Sequence, residues 1–474
     1  MGSSLIRVLT ILIILTVSFL GSGQNVFNKA FDVNNAPNFS SDVVEIETGY
    51  IFTQRADYNG FSHIQAIKLD TLGNITDSNT LVQSDTALFY GFSGSLQKLS
   101  TPEFCQLYKV GPDSVIRLVF FDVNLQKIRT KKYYFNQFTG RGVIKQVNDS
   151  TLLILCQVSN PSTWDLVLMN TDLQGNERWR TIFGEPGKDD YGFTIEEIDG
   201  EIVVGGQTYF SSQVAHPHII SFNKVGQIVF DTIYTQFDNG GSFAYHSDYG
   251  FFLYSSKNNL PTSLYPTIIK LDSNFIMEWS QEYFRDAQLV AVGAITISDQ
   301  GIISMAGSQI FGSNNSGVFF QINHQGDSLG SKILEHIPGS KASFDNIRPT
   351  SDGGYILAGQ TKAPTQDSWI VKVNAWGCDN IPCVVSVDEK EVSKGGLNCY
   401  PNPTNGAGTI SGYLSSLHEE SEVKVYNSIG QLIQTISITQ KDFEFPVNLT
   451  QNGLYFVVLM QNGEIIKQQK WVVH

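Results

Sequence analysis

The sequence has little charge, and none of its segments repeats apolar residues with the spacing of a helix. Charged residues make up 16% of the 474 positions and hydrophobic residues 41%, which is enough apolar material for a large core and too little charge for a disordered chain. An all-β protein is therefore predicted. The length exceeds one ordinary core and predicts two or more domains, unless internal repeats build the chain.

Basic residues are scarcer than acidic ones. Lys and Arg together number 31 and Asp and Glu number 45, which gives a formal net charge of -14. A chain of this sign repels phosphate backbones and anionic lipid rather than collecting them. Nucleic acid is therefore not an expected partner.

Long apolar runs are confined to the N-terminus. Thirteen apolar residues, Val8 to Leu20, follow Arg7 and precede the small residues Gly21-Ser22-Gly23. This run is shorter than the ~20 residues that cross a bilayer, and its flanks are typical of a secretory signal peptide. We predict a signal peptide over residues 1–23 with cleavage before Gln24, and a mature form that is soluble after export and has no transmembrane segment.

Cysteine is rare, at five residues. Cys378 and Cys383 are separated by Asp-Asn-Ile-Pro and are predicted to close a small disulfide loop in an oxidising compartment. Cys105, Cys156 and Cys399 are predicted to be small buried apolar residues, because no Cys-x-x-Cys pattern or nearby His makes them metal ligands.

A strand that ends in Asp or Asn recurs seven times. The end positions, called markers below, are Asp70, Asp122, Asp172, Asn223, Asp272, Asn323 and Asn374, separated by 49 to 52 residues. Short polar side chains of this type bond the backbone two residues on and start a turn. Gly follows three residues later in five repeats, where it serves a positive φ, and Leu125 and Phe275 are the two exceptions.

Each repeat contains further strands around its marker. A second strand lies upstream and is fed by an Asp-Gly type turn, most clearly in "SDGGYILAGQT" at 351–361, and another strand lies downstream. With a short segment before the Asp-Gly turn, each unit of about 51 residues has four strands. This pattern predicts a seven-bladed β-propeller over residues 24–385, and an open β-solenoid is the alternative, although its repeats are usually shorter than ~30 residues.

The two ends of the array complement each other. The seventh repeat lacks a downstream strand, whereas the segment Val26 to Val33 precedes the first repeat and belongs to none. Pairing of this N-terminal strand with the seventh repeat would close the ring and leave only short blade edges exposed.

A different pattern begins after the array. Residues 386–396 are charged and predict an exposed linker. Residues 397–474 alternate in strand fashion, with a turn at Asn427 to Gly430 and a two-residue hairpin signal at Asn462-Gly463. They predict a small immunoglobulin-like β-sandwich.

The tail also carries a family resemblance. The stretches "YPNPTNG", "VKVYNSIGQLI" and "NGLYFVVL", followed by a Lys-bearing last strand, resemble the type A sorting domain of the type IX secretion system of Bacteroidetes. The resemblance covers about residues 397–474, and Cys399 and His474 depart from it. The matching positions are Tyr400, Pro401, Asn402, Pro403, Gly406, Gly430, Gly453 and Tyr455. An ordinary turn ahead of an accessory sandwich is the alternative.

The resemblance implies that the tail is a signal for secretion. Proteins with such a tail cross the inner membrane with a signal peptide, fold in the periplasm and pass through the outer membrane by machinery that reads the folded tail. The expected destination is the medium or the outer cell surface, and the expected partner is the type IX secretion machinery.

No catalytic motif is present. The sequence has no Gly-rich phosphate loop, no nucleophile elbow and no His-Glu-x-x-His helix, so no catalytic residue is predicted. His216 and His218 have a spacing that can offer two metal ligands, but a solvated surface pair on a loop is preferred. Glu185, Asp189 and Asp190 can offer oxygen to calcium, but a solvated acidic turn is preferred because the spacing does not match a twelve-residue calcium loop. We therefore predict no metal site and keep calcium as the alternative.

The loops that join the second and third strands of each repeat vary in length and mix polar residues with aromatics. By analogy with the fold, they gather on one propeller face, where Tyr209, Phe210, Tyr265 and Phe311 can stack on sugars or peptides. Unconstrained loop drift explains the same variation.

Two functions remain open. The first is a secreted or surface-displayed binding or structural module for polysaccharide or protein. The alternative is an extracellular glycan hydrolase or lyase that uses carboxylates at the mouth of the channel, although the sequence shows no such pair.

Overall fold

The structure is a computed structural model that describes residues 24–32, 35–90, 94–160, 162–211, 214–258, 264–284, 289–311, 314–362, 366–380, 395–414, 421–428, 431–461 and 464–474. The predicted signal peptide and residues 386–394 of the predicted linker lie outside these ranges. The described residues form strands and turns without a helix, which confirms the all-β prediction. The chain divides into two compact units, Met1–Val385 and Ser386–His474.

The first unit consists of seven antiparallel strand groups, here called sheets 1 to 7 in chain order. Sheet 1 contains Asn38–Ile46, Gly49–Tyr58, Phe61–Leu69 and Ile75–Ser84. Sheet 2 contains Leu88–Tyr90 and Leu96–Lys98, which both pair with the next strand, then Glu103–Val110, Val115–Asp122 and Lys127–Tyr134. Sheet 3 contains Thr139–Asn148, Thr151–Asn160, Thr163–Thr171 and Glu177–Phe183. Sheet 4 contains Asp189–Ile198, Glu201–Ser211, Val214–Phe222 and Ile228–Ile233.

The remaining three sheets follow the same order. Sheet 5 contains Asp238–His246, Gly250–Asn258, Leu264–Leu271 and Met277–Glu282. Sheet 6 contains Leu289–Ile297, Ile303–Phe311, Asn314–Ile322 and Ser328–Leu334. Sheet 7 contains Lys341–Pro349, Tyr355–Lys362, Gln366–Val373 and, as its fourth member, Phe27–Phe31. A single parallel bridge between Leu264 and Leu289 joins sheets 5 and 6.

The sheets pack face to face in a cycle. Each of seven apolar clusters draws its side chains from two successive sheets, and one of them joins sheet 7 to sheet 1. In the closing cluster, Phe27 and Phe31 lie with Phe52 of sheet 1 and Ile370 of sheet 7. The core of the first unit is therefore divided among the interfaces between sheets, as the apolar strand faces require.

The N-terminal strand completes sheet 7 in the way that the array ends predicted. It runs antiparallel to Gln366–Val373, with Phe27 opposite Lys372 and Phe31 opposite Ser368. The indole Nε1 of Trp369 donates a hydrogen bond to Asn28 Oδ1 at 2.7 Å. The strand therefore pairs through its backbone, and it also fills the interface between sheets 7 and 1.

The marker residues build one turn that recurs in every repeat. In all seven, the side-chain oxygen of the marker accepts a hydrogen bond from the backbone N–H four residues later, at 2.8–3.0 Å. The Gly three residues after five of the markers has φ between 73° and 95°. Leu125 and Phe275 adopt the same conformation, with φ of 60° and 59°. This strain, of order 1–3 kcal/mol, is offset at Leu125 by full burial between sheets 1 and 2.

The Asp-Gly-Gly turn of sheet 7 holds a buried cation. Lys372 is fully buried, and its Nζ lies 3.0 and 2.9 Å from the two carboxylate oxygens of Asp352. Burial lowers the pKa of Lys372, and the Asp352 carboxylate opposes that shift. A Cβ at Gly354 would lie 2.5 Å from Lys372 Nζ and 2.4 Å from the carbonyl oxygen of Val373, so this position requires Gly.

The tail unit contains two sheets around its own core. The first sheet orders Gly395–Tyr400, Ala407–Leu414 and Asp442–Asn448, and the second orders Leu432–Ser437, Ser421–Asn427, Gly453–Gln461 and Glu464–Val473. Both sheets contribute to one apolar cluster around the fully buried Trp471. Each unit therefore has a core of its own.

The cysteines divide into two groups. Cys105, Cys156 and Cys399 are free and buried, as predicted. Burial raises the pKa of the Cys156 and Cys399 thiols to about 12, so they remain protonated and inert near neutral pH. Cys378 is disulfide-bonded. Its predicted partner, Cys383, lies outside the described residues, so that pairing stays a prediction.

Candidate binding site

The first strands of the sheets surround a cavity of about 430 Å³. Six sheets, 2 to 7, contribute to its wall. Five first strands line it with residues from their middle and C-terminal parts, at 143–145, 193–196, 242–245, 294–297 and 346–349.

The charged side chains of the cavity wall are neutralised by ion pairs. Lys145 Nζ forms an ion pair with Glu196 Oε1 at 2.5 Å, and both side chains are partly exposed. Among the described residues that line the cavity, Glu196 is the one carboxylate. Ser242 and Thr296 add hydroxyl groups to the same wall. The site therefore offers hydrogen-bond donors and acceptors and little net charge.

Tyr245 adds a donor to this wall. Burial, together with the negative charge of Asp199, raises the pKa of its phenol. The phenol therefore stays protonated at neutral pH and can donate a hydrogen bond to a ligand oxygen.

A buried ion pair supports one side of the cavity. Arg348 lines it and donates from Nε and Nη2 to the two carboxylate oxygens of Asp42, at 3.0 and 2.9 Å. Asp42 is fully buried and also accepts from Asn346 Nδ2 at 2.6 Å and from the backbone N–H of Leu96 at 3.0 Å. This network ties the first strands of sheets 1 and 7 to the strand Leu96–Lys98 of sheet 2.

Three of the four predicted aromatic residues of the ligand face, Tyr209, Phe210 and Tyr265, do not line this cavity. Tyr209 accepts a hydrogen bond from Gln207 Nε2, and Phe210 is 40% exposed. Tyr265 is buried, and the side chain of Phe311 lies outside the described residues. Tyr209 and Phe210 are consecutive residues of one strand, so they face opposite sides of sheet 4.

Phe210 belongs to a small surface group. The Nζ of Lys188 lies 4.7 Å from the centre of its ring, and the His216 ring meets it edge-on with ring centres 5.2 Å apart. His216 Nδ1 lies 2.6 Å from the carbonyl oxygen of Phe237. Phe210 therefore presents a partly exposed aromatic ring whose neighbours are fixed.

His218 is not a solvated surface residue, and the loop interpretation was wrong. It lies on the strand Val214–Phe222 and is buried. Its Nδ1 is 2.8 Å from Thr208 Oγ1, which in turn donates to Asp190, and its Nε2 is 2.7 Å from Asp231 Oδ1. Asp190 and Asp231 lie on other strands of sheet 4, more than ten residues from His218 in the chain. The spacing of the His pair therefore did not reveal them.

This group resembles a catalytic triad in its residue types, but its geometry does not supply a nucleophile. Thr208 is fully buried, and its hydroxyl proton is directed to the Asp190 carboxylate. A nucleophile must reach substrate and pass its proton to the His. The group therefore stabilises sheet 4.

The stability of the protein is expected to depend on pH through His218. Burial alone lowers its pKa, but the neighbouring carboxylates of Asp190 and Asp231 outweigh burial, so the pKa of His218 is raised. The contribution is complete below the unfolded pKa of about 6.5 and is lost as pH rises through the folded value. Urea unfolding from pH 6 to 9 should show wild type losing stability relative to His218→Gln as pH rises. A difference between the two that does not change with pH would contradict this assignment.

The acidic stretch near 185–190 is used within the fold. Asp189 Oδ1 accepts from the Trp164 backbone N–H at 2.9 Å, and Asp190 Oδ2 accepts from the Glu185 backbone N–H at 2.8 Å. Asp190 is buried, which corrects the prediction of a solvated turn at that position. Within the described residues, no group of three or more His, Cys, Asp or Glu is placed to hold a metal ion.

Lys145, Glu196 and Tyr245 were missed by the sequence analysis. Each lies on a first strand near the following Asp-Gly type turn, and that position was the one available signal. Nothing in the sequence states which strand of a repeat lines the cavity.

The predicted sorting residues of the tail act mainly within its fold. Pro401 O accepts a hydrogen bond from Trp471 Nε1 at 2.8 Å. Asn402 Nδ2 donates to Lys470 O, and Asn402 Oδ1 accepts from the Val472 backbone N–H. The Tyr-Pro-Asn-Pro segment therefore fastens the last strand.

The other predicted sorting residues differ in their exposure and contacts. The hydroxyl of Tyr400, which is exposed, donates to Glu444 Oε1, while Tyr455 is buried and donates to the Gln451 carbonyl oxygen. Gly406 has a φ of 102°, and a Cβ there would lie 2.7 Å from the Leu449 carbonyl oxygen. Pro403 is exposed, a Cβ at Gly453 would meet open space, and Gly430 lies outside the described residues.

One comparison with known families identifies the tail. Residues 398–474 match the secretion system C-terminal sorting domain. The match confirms the predicted type IX sorting domain and indicates export to the cell surface or secretion, with the secretion machinery as a partner. In the described part of the chain, no helix has the length and apolarity needed to cross a membrane.

Comparisons of the whole chain give only distant similarity. No curated protein matches it. A protein of unknown function from Bacteroides caccae is 13% identical, with a TM-score of 0.38 over 58% of this chain and 92% of that one. The polysaccharide lyase Uly1 is 10% identical, with a TM-score of 0.43 over 76% and 94% of the two chains. These scores support no argument about the fold or activity of this chain.

Proposed function

We propose that this chain is an exported binding protein, in which a seven-bladed β-propeller binds its ligand and an immunoglobulin-like tail directs its secretion. The propeller assignment is supported by the cyclic succession of sheets and by the N-terminal strand that completes sheet 7. The family match of the tail supports the route.

The ligand proposed for the cavity is a saccharide, as part of a polysaccharide. The proposal rests on the cavity of about 430 Å³ and on the polar groups of its wall. These are the hydroxyls of Ser242 and Thr296, the protonated phenol of Tyr245, and the ion pair in which Lys145 and Glu196 neutralise each other. That size falls within the ~300–1,000 Å³ of small-molecule sites. A protein partner is less well matched, because stable protein interfaces use broad surfaces of about 800 Å² per partner.

Binding is favoured over hydrolysis at this site. A glycosidase of the usual kind needs two carboxyl groups about 5–10 Å apart. The described wall of the cavity offers Glu196 alone, already paired with Lys145. The enzyme alternative therefore lacks its second acid or base at this position.

Retention of glycans by the purified protein tests this function. We expect an array of bacterial and algal polysaccharides to contain at least one retained glycan, and Thr296→Trp, which fills the cavity, to weaken retention at least tenfold. Thr235→Trp places the same side chain on an exposed position and should bind normally. Thermal unfolding of both variants establishes that they fold.

Two outcomes would overturn this function. If no glycan is retained, or if Thr296→Trp retains one as well as wild type, the cavity is not a saccharide site. Shortening of a glycan by wild type, with loss of that activity in Glu196→Gln, would favour the enzyme.

A further inference from the structure

Basic residues are unevenly distributed over the outer strands of the seven sheets. The outer strand of sheet 2, Lys127–Tyr134, reads Lys-Ile-Arg-Thr-Lys-Lys-Tyr-Tyr and has four basic residues and no acidic one. The outer strand of sheet 3, Glu177–Phe183, adds Arg178 and Arg180. The outer strands of sheets 1, 4 and 5 have no basic residue, and those of sheets 6 and 7 have one each. Charge that only prevents edge-to-edge pairing has no reason to be basic and confined mainly to two neighbouring sheets.

The outer strands of sheets 2 and 3 form one surface, here called the basic rim. Arg180 Nη1 donates to the carbonyl oxygen of Tyr134 at 3.0 Å, and Lys131 Nζ donates to Asn176 Oδ1 at 2.6 Å. Within the described residues, Lys127–Tyr134 pairs only with Val115–Asp122, so its other edge is free. The six basic residues therefore lie beside an open strand edge.

Most of the charge of the basic rim is not neutralised. Glu103 forms an ion pair with Arg129 at 2.7 Å, and Glu177 forms one with Arg180. The other four basic residues make no ion pair in the described part of the chain: Lys127, Lys131, Lys132 and Arg178. A chain with a net charge of -14 thus carries a local surface of the opposite sign.

The basic rim also carries groups that suit a sugar. Tyr134 is 67% exposed, and its ring can stack on the apolar face of a sugar. Lys132 is exposed two residues earlier, so it lies on the same face of the strand, about 7 Å away. The free strand edge presents backbone N–H and C=O groups, which can bond to sugar hydroxyls.

An acidic polysaccharide matches these groups better than DNA or an anionic membrane. Its carboxylate or sulfate groups meet the cations, and its hydroxyls both donate and accept hydrogen bonds, whereas a DNA backbone only accepts them. A membrane is a broad plane, so it also meets the remaining surface of this acidic chain. A single polymer chain contacts the rim alone, and charges more than about 8–10 Å away are largely screened at physiological salt.

We propose that the basic rim binds an acidic polysaccharide through its carboxylate or sulfate groups. Lys127 and Lys132 supply exposed charge, and Tyr134 supplies the stacking surface. The rim residues do not line the cavity, so this inference goes beyond the proposed function and does not depend on it.

Affinity electrophoresis of the purified full-length chain tests the proposal. We expect dextran sulfate or polygalacturonate to retard the protein, with less retardation as salt rises, and neutral dextran to have no effect. The two acidic polymers distinguish sulfate from carboxylate as the bound group. Lys127→Glu combined with Lys132→Glu should weaken retardation at least tenfold.

A second double variant is the matched control. Lys341 and Lys362 are exposed cross-strand neighbours in sheet 7, and changing both to Glu alters the net charge by the same amount. This variant and Thr296→Trp should be retarded like wild type, which separates the rim from total charge and from the cavity. Thermal unfolding of all three variants establishes that they fold.

Four results would overturn the proposal. Neither acidic polymer retards wild type; the two double variants lose retardation equally; Thr296→Trp abolishes it; or single-stranded DNA retards wild type as strongly as the acidic polysaccharides do. The last result would assign the rim to nucleic acid instead.

Discussion

Replacing Asp42 with alanine should lower the free energy of unfolding by about 3 kcal/mol, the lower end of the range for breaking a buried ion pair. The substitution leaves Arg348 and Asn346 without their shared acceptor, and it also leaves the Leu96 backbone N–H unpaired. Because these groups come from sheets 1, 2 and 7, the loss weakens three sheets together. Urea unfolding of the purified protein measures the change.

The control for Asp42 is another aspartate. Asp299 is 97% exposed and lies 3.9 Å from His246 Nε2, so Asp299→Ala should change stability by no more than about 0.5 kcal/mol. Equal stability of the Asp42 and Asp299 variants would show that the buried network does not hold the sheets together.

Replacing Phe31 with alanine should cost about 3–5 kcal/mol, as expected for removal of a buried aromatic side chain. Phe31 packs on Phe52, with ring centres 5.0 Å apart, and fills the interface between sheets 7 and 1. The loss should raise protease cleavage near the N-terminal strand as well as reduce thermal stability, because this strand is held by one neighbour.

Phe61 supplies the matched comparison for Phe31. It is 41% exposed on the hairpin of sheet 1, and Phe61→Ala should cost less than about 1 kcal/mol. If the Phe31 variant unfolds and resists protease like the Phe61 variant, the N-terminal strand does not stabilise the first unit.

Much of the fold was predictable because its repeats carry local chemistry. Asp70 and its six counterparts bond the backbone of their own turns, so their role depends on residues within four positions. The strand Phe27–Phe31 was predicted to pair with the last repeat, because that repeat lacked its downstream strand and the N-terminal strand belonged to no repeat. Leu125 shows the limit, since its positive φ is made acceptable by distant packing.

The candidate sites were less predictable because they depend on contacts between repeats. His218 was placed on a loop by its neighbours in sequence, but it is buried on a strand, near the buried Asp190 and in contact with the half-exposed Asp231. Aromatic content drew attention to Tyr265, whose ring is buried, and away from Lys145 and Glu196. Spacing along the chain does not record which strands line the cavity.

The sequence by itself determined the strand repeats, their turns, the separate tail and the sorting signal. The repeats and turns depend on residues that interact with near neighbours in the chain, and the tail is recognised from one short matching segment. The tertiary structure alone decided the cavity and the Asp42 network. Those features require strands that are far apart in the chain to meet, and their energies come from burial and charge pairing that only the folded arrangement creates.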